Sequence, residues 1–419
     1  MSAPLSWTAL PAAQYRPEPA AQDGVHWVRV GDEVLLWSAD GEPAGLQRVS
    51  ASADQATGLA LVLQVGRSFQ DEHPEVRVLL DHGRQLIVDS GSWRGLPDKQ
   101  TTCWRIAPLP ADVVVVDRPD PAPARQDPAI LALTAQLSAP ALEADIAELV
   151  ALGTRHSLSE EFIRAADIAA ARLTELGYTT TRPSIQVGGG RSENVVADRA
   201  GTAADSRGLV LVTAHLDSVN VAGGPAAPAP GADDNGSGSA GLLELARVLA
   251  AQAWTHDLRL ILFGGEEQGL HGSRQYVAEL FTEERARIRA VLNMDMIATR
   301  NTVEPAVLLE GAPLSSSLID DLATAAATYT ELRVETSLDP FASDHVPFLE
   351  AGVPAVLTIE GADSANANIH TAQDTMQHID VALAREILAM NLAALATWLK
   401  PDEECSPAPD VFDEAVGRA

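Results

Sequence analysis

Cations are scarce in this chain. Of 419 residues only 29 are Lys or Arg, against 58 Asp or Glu, and two of those cations, Lys99 and Lys400, are lysines. A formal charge of −29 repels phosphates, which excludes a nucleic-acid partner. The acidity names no partner by itself, since acidic surfaces also serve solubility. Cysteine is equally rare. Cys103 and Cys405 form neither a disulfide framework nor a CxxC metal motif, and free thiols are expected, with their pairing left open. No continuous run of about 18 apolar residues occurs, so no membrane span is expected. Residues 1–22 lack a basic stretch followed by an apolar core, so no signal peptide is read. The expected location is cytoplasmic, or secreted or periplasmic if the sequence is a processed form. HExxH and GxSxG are also absent, which removes the single-helix zinc protease and the serine nucleophile elbow.

The length predicts two domains. Residues 1–117 read as a β-rich domain of unknown role. His26-Trp27-Val28-Arg29-Val30 and Glu33-Val34-Leu35-Leu36-Trp37 flank a Gly-Asp turn, and Val76–Leu80 and Gln85–Val88 flank Asp81-His82-Gly83, so two hairpins are expected. Asp112 to Val116 suggests one more strand. Five of the seven tryptophans precede residue 105, enough for a separate core. A structural or interaction module is the default reading, with a lid over a site as the alternative. Residues 118–128 (RPDPAPARQDP) form a stiff Pro-rich linker. Residues 129–400 alternate helices and strands, and an acidic tail, 401–419, follows Pro401. Strands are expected at 194–197, 209–214, 258–263, 289–294, 306–309 and 355–359, and helices near 239–252, 272–281, 314–328 and 380–399. Ser157-Leu158-Ser159-Glu160 fits a capping box for another helix that ends at Gly177. The expected fold class is α/β, with a mostly parallel mixed central sheet between helix layers, preceded by the smaller β-rich domain.

Metal-ligand residue types gather where these strands end. His215 and Asp217 end one, Gly264-Gly265-Glu266-Glu267 another, and Asn293-Met294-Asp295-Met296 a third, while Asn368-Ile369-His370-Thr371 lies in a later loop. A lone HxD is more often structural, and a Glu-Glu pair is usually a solvated face. Asp295 between two methionines is harder to dismiss, because a carboxylate among apolar residues needs a partner. Carboxylate oxygen and imidazole nitrogen suit Zn²⁺ at about 2.0–2.2 Å, and the carboxyl edge of an α/β sheet is where such enzymes keep their chemistry.

HLDS, PGADDNGSG, FGGEEQGLHGS, NMDMI, SDHVPFLEAGVPAV and IHTAQDT occur in this order across residues 130–400. Together they resemble the dizinc aminopeptidases of the bacterial leucyl aminopeptidase type, related to glutamate carboxypeptidases and glutaminyl cyclases. The resemblance does not cover residues 1–117. It implies a peptide substrate and two zinc ions, with His215 and Asp295 on one, Glu267 and His370 on the other, and Asp234 bridging both. Asp233 is the neighbour with which Asp234 is most easily confused. Glu266 is implied as general base, Asp217 as the acceptor that fixes the His215 tautomer, and Asp344 as a further support. Some relatives use a tyrosine near the SDH segment or before the last histidine. Here Ile369 precedes His370, and Leu338-Asp339-Pro340-Phe341 precedes SDH.

A carboxypeptidase or a glutaminyl cyclase on the same scaffold is the alternative, as is a non-catalytic binding relative. The cyclases usually operate with one zinc. A carboxypeptidase needs an arginine beside the metals, for which Arg300 is the candidate by proximity in sequence. Gly236-Ser237-Gly238-Ser239-Ala240-Gly241 matches GxGxxG but follows a Pro-rich loop rather than a strand, so a nucleotide site is not expected; the small residues let the helix approach the sheet. His256, His271, His345 and His378 read as surface or supporting groups.

Overall fold

A computed structural model describes residues 5–14, 25–38, 54–56, 58–91, 93, 95, 98–204 and 207–401. Cys405 and the tail beyond 401 lie outside the described residues.

The larger domain is built on an eight-stranded sheet. From edge to edge its strands are Thr179–Thr181, Val195–Arg199, Asp257–Phe263, Leu209–His215, Ile288–Met294, Ala355–Glu360, Ala306–Glu310 and Arg333–Ser337. The four central strands, from 257–263 to 355–360, run parallel, and antiparallel pairing enters on either side of them. The sequence explains the layering. In Leu209–His215, residues Val210, Val212 and Ala214 join a core on one face, while Leu209 and Leu211 join another on the opposite face. A strand apolar on both faces must be covered on both. Helices Ala139–Val150, Glu160–Glu175, Gly238–Ala250, Ser316–Tyr329 and Val381–Leu399 cover the first face. Phe348 and Leu349, with Tyr276 and Val277 packed against them, cover the second.

Helix Val381–Leu399 is long and apolar enough to cross a membrane by composition, but 72% of its most apolar window is buried in the core. The expected helix after Ser157 begins later. Ser159 is its N-cap, accepting the Phe162 N–H, and Ser157 instead accepts the N–H of Gly265. Gly238 behaves as the small-residue reading expects. A Cβ at Gly238 would stand 2.7 Å from the carbonyl oxygen of Met294, the last residue of strand Ile288–Met294, so the helix comes close to the end of the sheet there.

Among the described residues the N-terminal region contains two five-stranded sheets. Val28, Val30, Leu35 and Trp37 of one sheet pack against Leu61, Leu80 and Ile87 of the other. Both expected hairpins are present, as Val25–Val30 with Glu33–Ser38 and Arg77–His82 with Gln85–Asp89. This region leans on the larger domain. Asp117 exchanges two main-chain hydrogen bonds of 2.9 Å with Thr336, on the edge strand Arg333–Ser337. The segment after it runs along helix Ser316–Tyr329, with Ala124 N–H donating to Thr328 and Asp127 N–H to Tyr329.

Candidate metal centre

Parallel neighbours bring three of the loops to one edge. His215 pairs with Phe263, and Thr213 with Asn293, so the residues that follow each strand emerge side by side. His215 is the last residue of its strand. Glu266 and Glu267 follow Phe263, Asp295 follows Met294, Asp234 lies in the loop entering helix Gly238–Ala250, and His370 in the loop after Glu360.

These side chains converge. His215 Nε2 lies 3.1 Å from Asp295 Oδ1 and 3.3 Å from Asp234 Oδ1. His370 Nε2 lies 3.1 Å from Asp234 Oδ2 and 3.0 Å from Glu267 Oε2. Two overlapping groups that could hold a metal result, His215–Asp234–Asp295 and Asp234–Glu267–His370. Asp234 belongs to both and turns one oxygen to each. Asp233 faces away, accepting from Ala298 N–H and the Asn366 amide. The donor set is nitrogen and oxygen, as zinc accepts, and Glu267 Oε1 is buried without a hydrogen-bond partner.

The loops are held from behind. Asp374 accepts the N–H groups of Asp233 and Asp234, both at 2.9 Å. Arg155, fully buried, donates to the carbonyls of Leu216, Pro230 and Gly231 and ties the loop after His215 to the loop before Asp234. Gly231 has φ +54°, and a Cβ there would stand 2.4 Å from the Asp234 carbonyl oxygen, so only glycine suits the position. Ser343 Oγ donates to Asp295 Oδ2 at 2.7 Å and receives the Asn293 amide. Leu270, Met296, Ala342 and His370 adopt positive φ although none is glycine. Such strain is tolerated where the surroundings over-determine the backbone, commonly at functional sites.

Asp217 acts differently from the tautomer-fixing role expected of its side chain. His215 Nδ1 contacts the Asp217 main-chain carbonyl at 3.1 Å, while the nearer carboxylate oxygen is 3.6 Å away. The carboxylate instead accepts the N–H groups of Glu266 and Glu267. It aims the two glutamates, and the main chain orients the imidazole.

The electrostatics express crowded negative charge. Burial, with Asp234 nearby, pushes Glu267 up to about 7. Burial is also the main cause that lifts Glu266 well above the usual carboxylate range, lifts Asp344 to about 7 and, with Asp233, lifts Asp374 to about 8. Burial works against Asp234 too, but hydrogen bonds from His215 and His370 outweigh it and hold that carboxyl low. Burial lowers both histidines, and the surrounding carboxylates raise them well above their ordinary value. Carboxylates this close need positive charge beside them.

A cavity of about 510 Å³ opens onto the cluster. Leu270, Met296, Phe341, Val346, Leu349 and Ile359 give it an apolar side. The N-terminal domain contributes Val65, Arg84, Arg105 and the run Gln100–Cys103, so that domain is a wall of the cavity and not a remote module. Among the described residues no tyrosine lines it. Three arginines do, and each is paired: Arg84 with Glu310 and Asp363, Arg105 with Asp339, Arg274 with Glu350. Arg300 is not among them. It pairs with Asp380 at 2.7 Å and does not line the cavity. His345, expected as a surface or supporting group, is fully buried 3.3 Å from Glu310. Asp344 is buried with both oxygens lacking a hydrogen bond. Arg155 and Arg84 were not legible as site residues, because a single arginine carries no motif and their partners lie 61 to 279 positions away.

Residues 194–395 match the family described as Peptidase family M28. Aminopeptidase YwaD of Bacillus subtilis is 32% identical over 234 residues, covering 53% of this chain and 50% of that one. Leupeptin-inactivating enzyme 1 of Streptomyces exfoliatus is 34% identical over 206 residues, covering 47% and 42%. The chain thus spans half or less of the length of these two curated relatives. Among solved structures, a zinc aminopeptidase from Bacillus subtilis superposes with a TM-score of 0.56 at 19% identity, over 66% of this chain and 98% of its own, a likeness of fold.

Proposed function

Because the chain belongs, through residues 194–395, to peptidase family M28, we propose that it is a zinc-dependent aminopeptidase with two metal ions. One observation carries the reading: Asp234 presents a separate oxygen to each of two histidines, and each histidine has its own further carboxylate. His215 and Asp295 would hold one ion, Glu267 and His370 the other, and Asp234 both. Zinc bound there supplies Lewis acidity, activating a water and polarising the scissile carbonyl.

Glu266 lines the cavity beside these ligands, with its amide pinned by Asp217. Its carboxylate takes the proton of the attacking water and delivers it to the departing amine. The elevated pKa suits a group that must both accept and return a proton. The apolar side of the cavity receives the side chain of the residue being released. The pairing of every cavity arginine disfavours a carboxypeptidase, which needs a free one for the substrate carboxylate. The two overlapping ligand groups disfavour a one-zinc cyclase.

The test is a panel of aminoacyl chromogenic amides, N-blocked peptides and C-terminally blocked peptides, with metal content measured in parallel. The expected result is near two zinc per chain, with cleavage that demands a free amine and stops with chelator. Equal cleavage of N-blocked peptides would sink it.

A further inference from the structure

We propose that Arg84 is a positioning residue of this centre: from the N-terminal domain it fixes the segment 341–343, which aims Asp295. The proposal rests on reading His215, Asp234 and Asp295 as metal ligands.

Arg84 is 2% exposed. Its guanidinium donates to Glu310 at 3.2 and 3.4 Å, to Asp363 at 3.2 Å and to the Phe341 carbonyl at 2.5 Å. Glu310 in turn accepts the Phe341 N–H at 2.9 Å. One ion pair, half of it supplied by the N-terminal domain, therefore holds both main-chain groups of Phe341. A second arginine of that domain, Arg105, pairs with Asp339 and lies 5.8 Å from the centre of the Phe341 ring. The segment 339–341 is bracketed from one side by two arginines.

The consequence runs along two bonds of chain. Ala342 follows with φ +49°, a left-handed conformation that a residue with a Cβ keeps only when its neighbours enforce it. Ser343 comes next, and its hydroxyl donates to Asp295 Oδ2, leaving Oδ1 turned to His215. Releasing Phe341 frees the turn at Ala342 and slackens the hydrogen bond that orients Asp295. Groups that orient a ligand in this way typically govern metal affinity by about 10–100-fold.

A mere adhesive between domains predicts something else. Arg118 also bridges the two, through Glu335 and Asp32, but at the exposed edge strand. It is the control. Arg84→Met, Arg84→Lys, Ser343→Ala and Arg118→Met are compared in the full chain for zinc affinity by competition with a chromophoric chelator, for melting temperature, and for kcat and KM on a leucine anilide. Arg84→Met and Ser343→Ala are expected to bind one of the two zinc ions about 10-fold more weakly and to lose kcat more than KM. Arg84→Lys, which keeps the charge but cannot span Glu310 and the Phe341 carbonyl together, should fall between. Arg118→Met should lose stability only. Wild-type zinc affinity in Arg84→Met, or in Ser343→Ala and Arg84→Lys should Arg84→Met not fold, overturns the proposal. A wild-type protein that holds two zinc ions and cleaves nothing would defeat the peptidase reading and leave the affinity comparison intact.

Discussion

Glu310 and Asp363 are buried under the N-terminal domain and face an arginine. Asp234 and Asp295 are buried at the sheet edge beside imidazoles, with the Ser343 hydroxyl also donating to Asp295. The two acid clusters reach one cavity, the first through Arg84 and Asp363 and the second through Asp234 and Asp295, and differ in where their positive charge originates. An unpaired buried carboxylate costs several kcal/mol in desolvation, and a chain that keeps one needs a cation beside it. The first cluster carries its cation in the sequence. On the proposed reading the second takes its cation from outside, as metal, and Glu267 Oε1 is buried without a hydrogen-bond partner. Burial alone does not distinguish a structural cluster from a metal centre; the source of the counter-charge does.

The largest effect expected is from Asp234→Asn. Asparagine keeps the volume but removes the shared charge, so both sites lose their common ligand. Zinc measured by atomic absorption should fall well below two per chain, and hydrolysis should drop to background. Full zinc content in this variant would break the comparison outright. Glu266→Gln separates chemistry from binding at the same edge. It should keep both ions and lose about 10²–10⁴-fold in kcat, the range for a lost acid–base group; unchanged kcat would remove the proton-transfer role.

The two clusters also differ in how far the sequence foretells them. The strands that lead to His215, Glu266, Glu267 and Asp295 are mostly apolar, interrupted by few polar residues such as Arg259 and Arg289, and burial on both faces favours such stretches. Their ends could be placed within a residue or two, and the metal-type residues at those ends stood out as short motifs. Strand Arg333–Ser337 escaped because it is a half-exposed edge of Arg, Val, Glu, Thr and Ser with no apolar signal. The Arg84 cluster escaped for a different reason. Its members are 226 and 279 positions apart, and a hairpin arginine reads as solvent-facing until another domain closes over it. Asp217 shows the same limit on a small scale. Two residues from His215 it was expected to serve the imidazole, but its carboxylate is taken by two amides from a loop that only the sheet pairing brings near.

Removing metal tests the external cation through stability. A ligand that binds only the folded chain stabilises it by RT ln(1 + [L]/Kd), about 2.7 kcal/mol per site at a hundredfold excess over Kd, and so about 5 kcal/mol for two. Chelation should lower the melting temperature, and added zinc should restore it. A melting temperature indifferent to chelator would mean that the edge cluster is balanced from within, like its neighbour.

The smaller effects lie inside the arginine cluster, where its two acids are predicted to respond oppositely to pH. Burial raises Glu310, but Arg84 and His345 outweigh it, and the folded value lies below the ordinary 4.5. Ionised Glu310 therefore stabilises the fold. That contribution is complete above pH 4.5 and is lost as pH falls through the lowered value. Glu310→Gln should cost about 3 kcal/mol near neutrality, as for a buried charge deprived of its partner, with the deficit vanishing in acid. Asp363 is also raised by burial, and there Arg84 does not fully compensate, because Glu310 competes for the same guanidinium and repels it. Its folded value lies above the ordinary 3.8, so ionised Asp363 weakens the fold. Below pH 3.8 the acid is neutral in both states and Asp363→Asn changes little; the variant gains on wild type as pH rises through the folded value. Asparagine can still accept from Arg84, so the net change at neutrality should be within about 1 kcal/mol, the worth of one hydrogen bond, and in the stabilising direction. Urea unfolding of both variants between pH 3 and 8 would read the two trends directly. Parallel losses at neutral pH would mean that Arg84 serves the two carboxylates equally, and that the cluster has no surplus of negative charge to relieve.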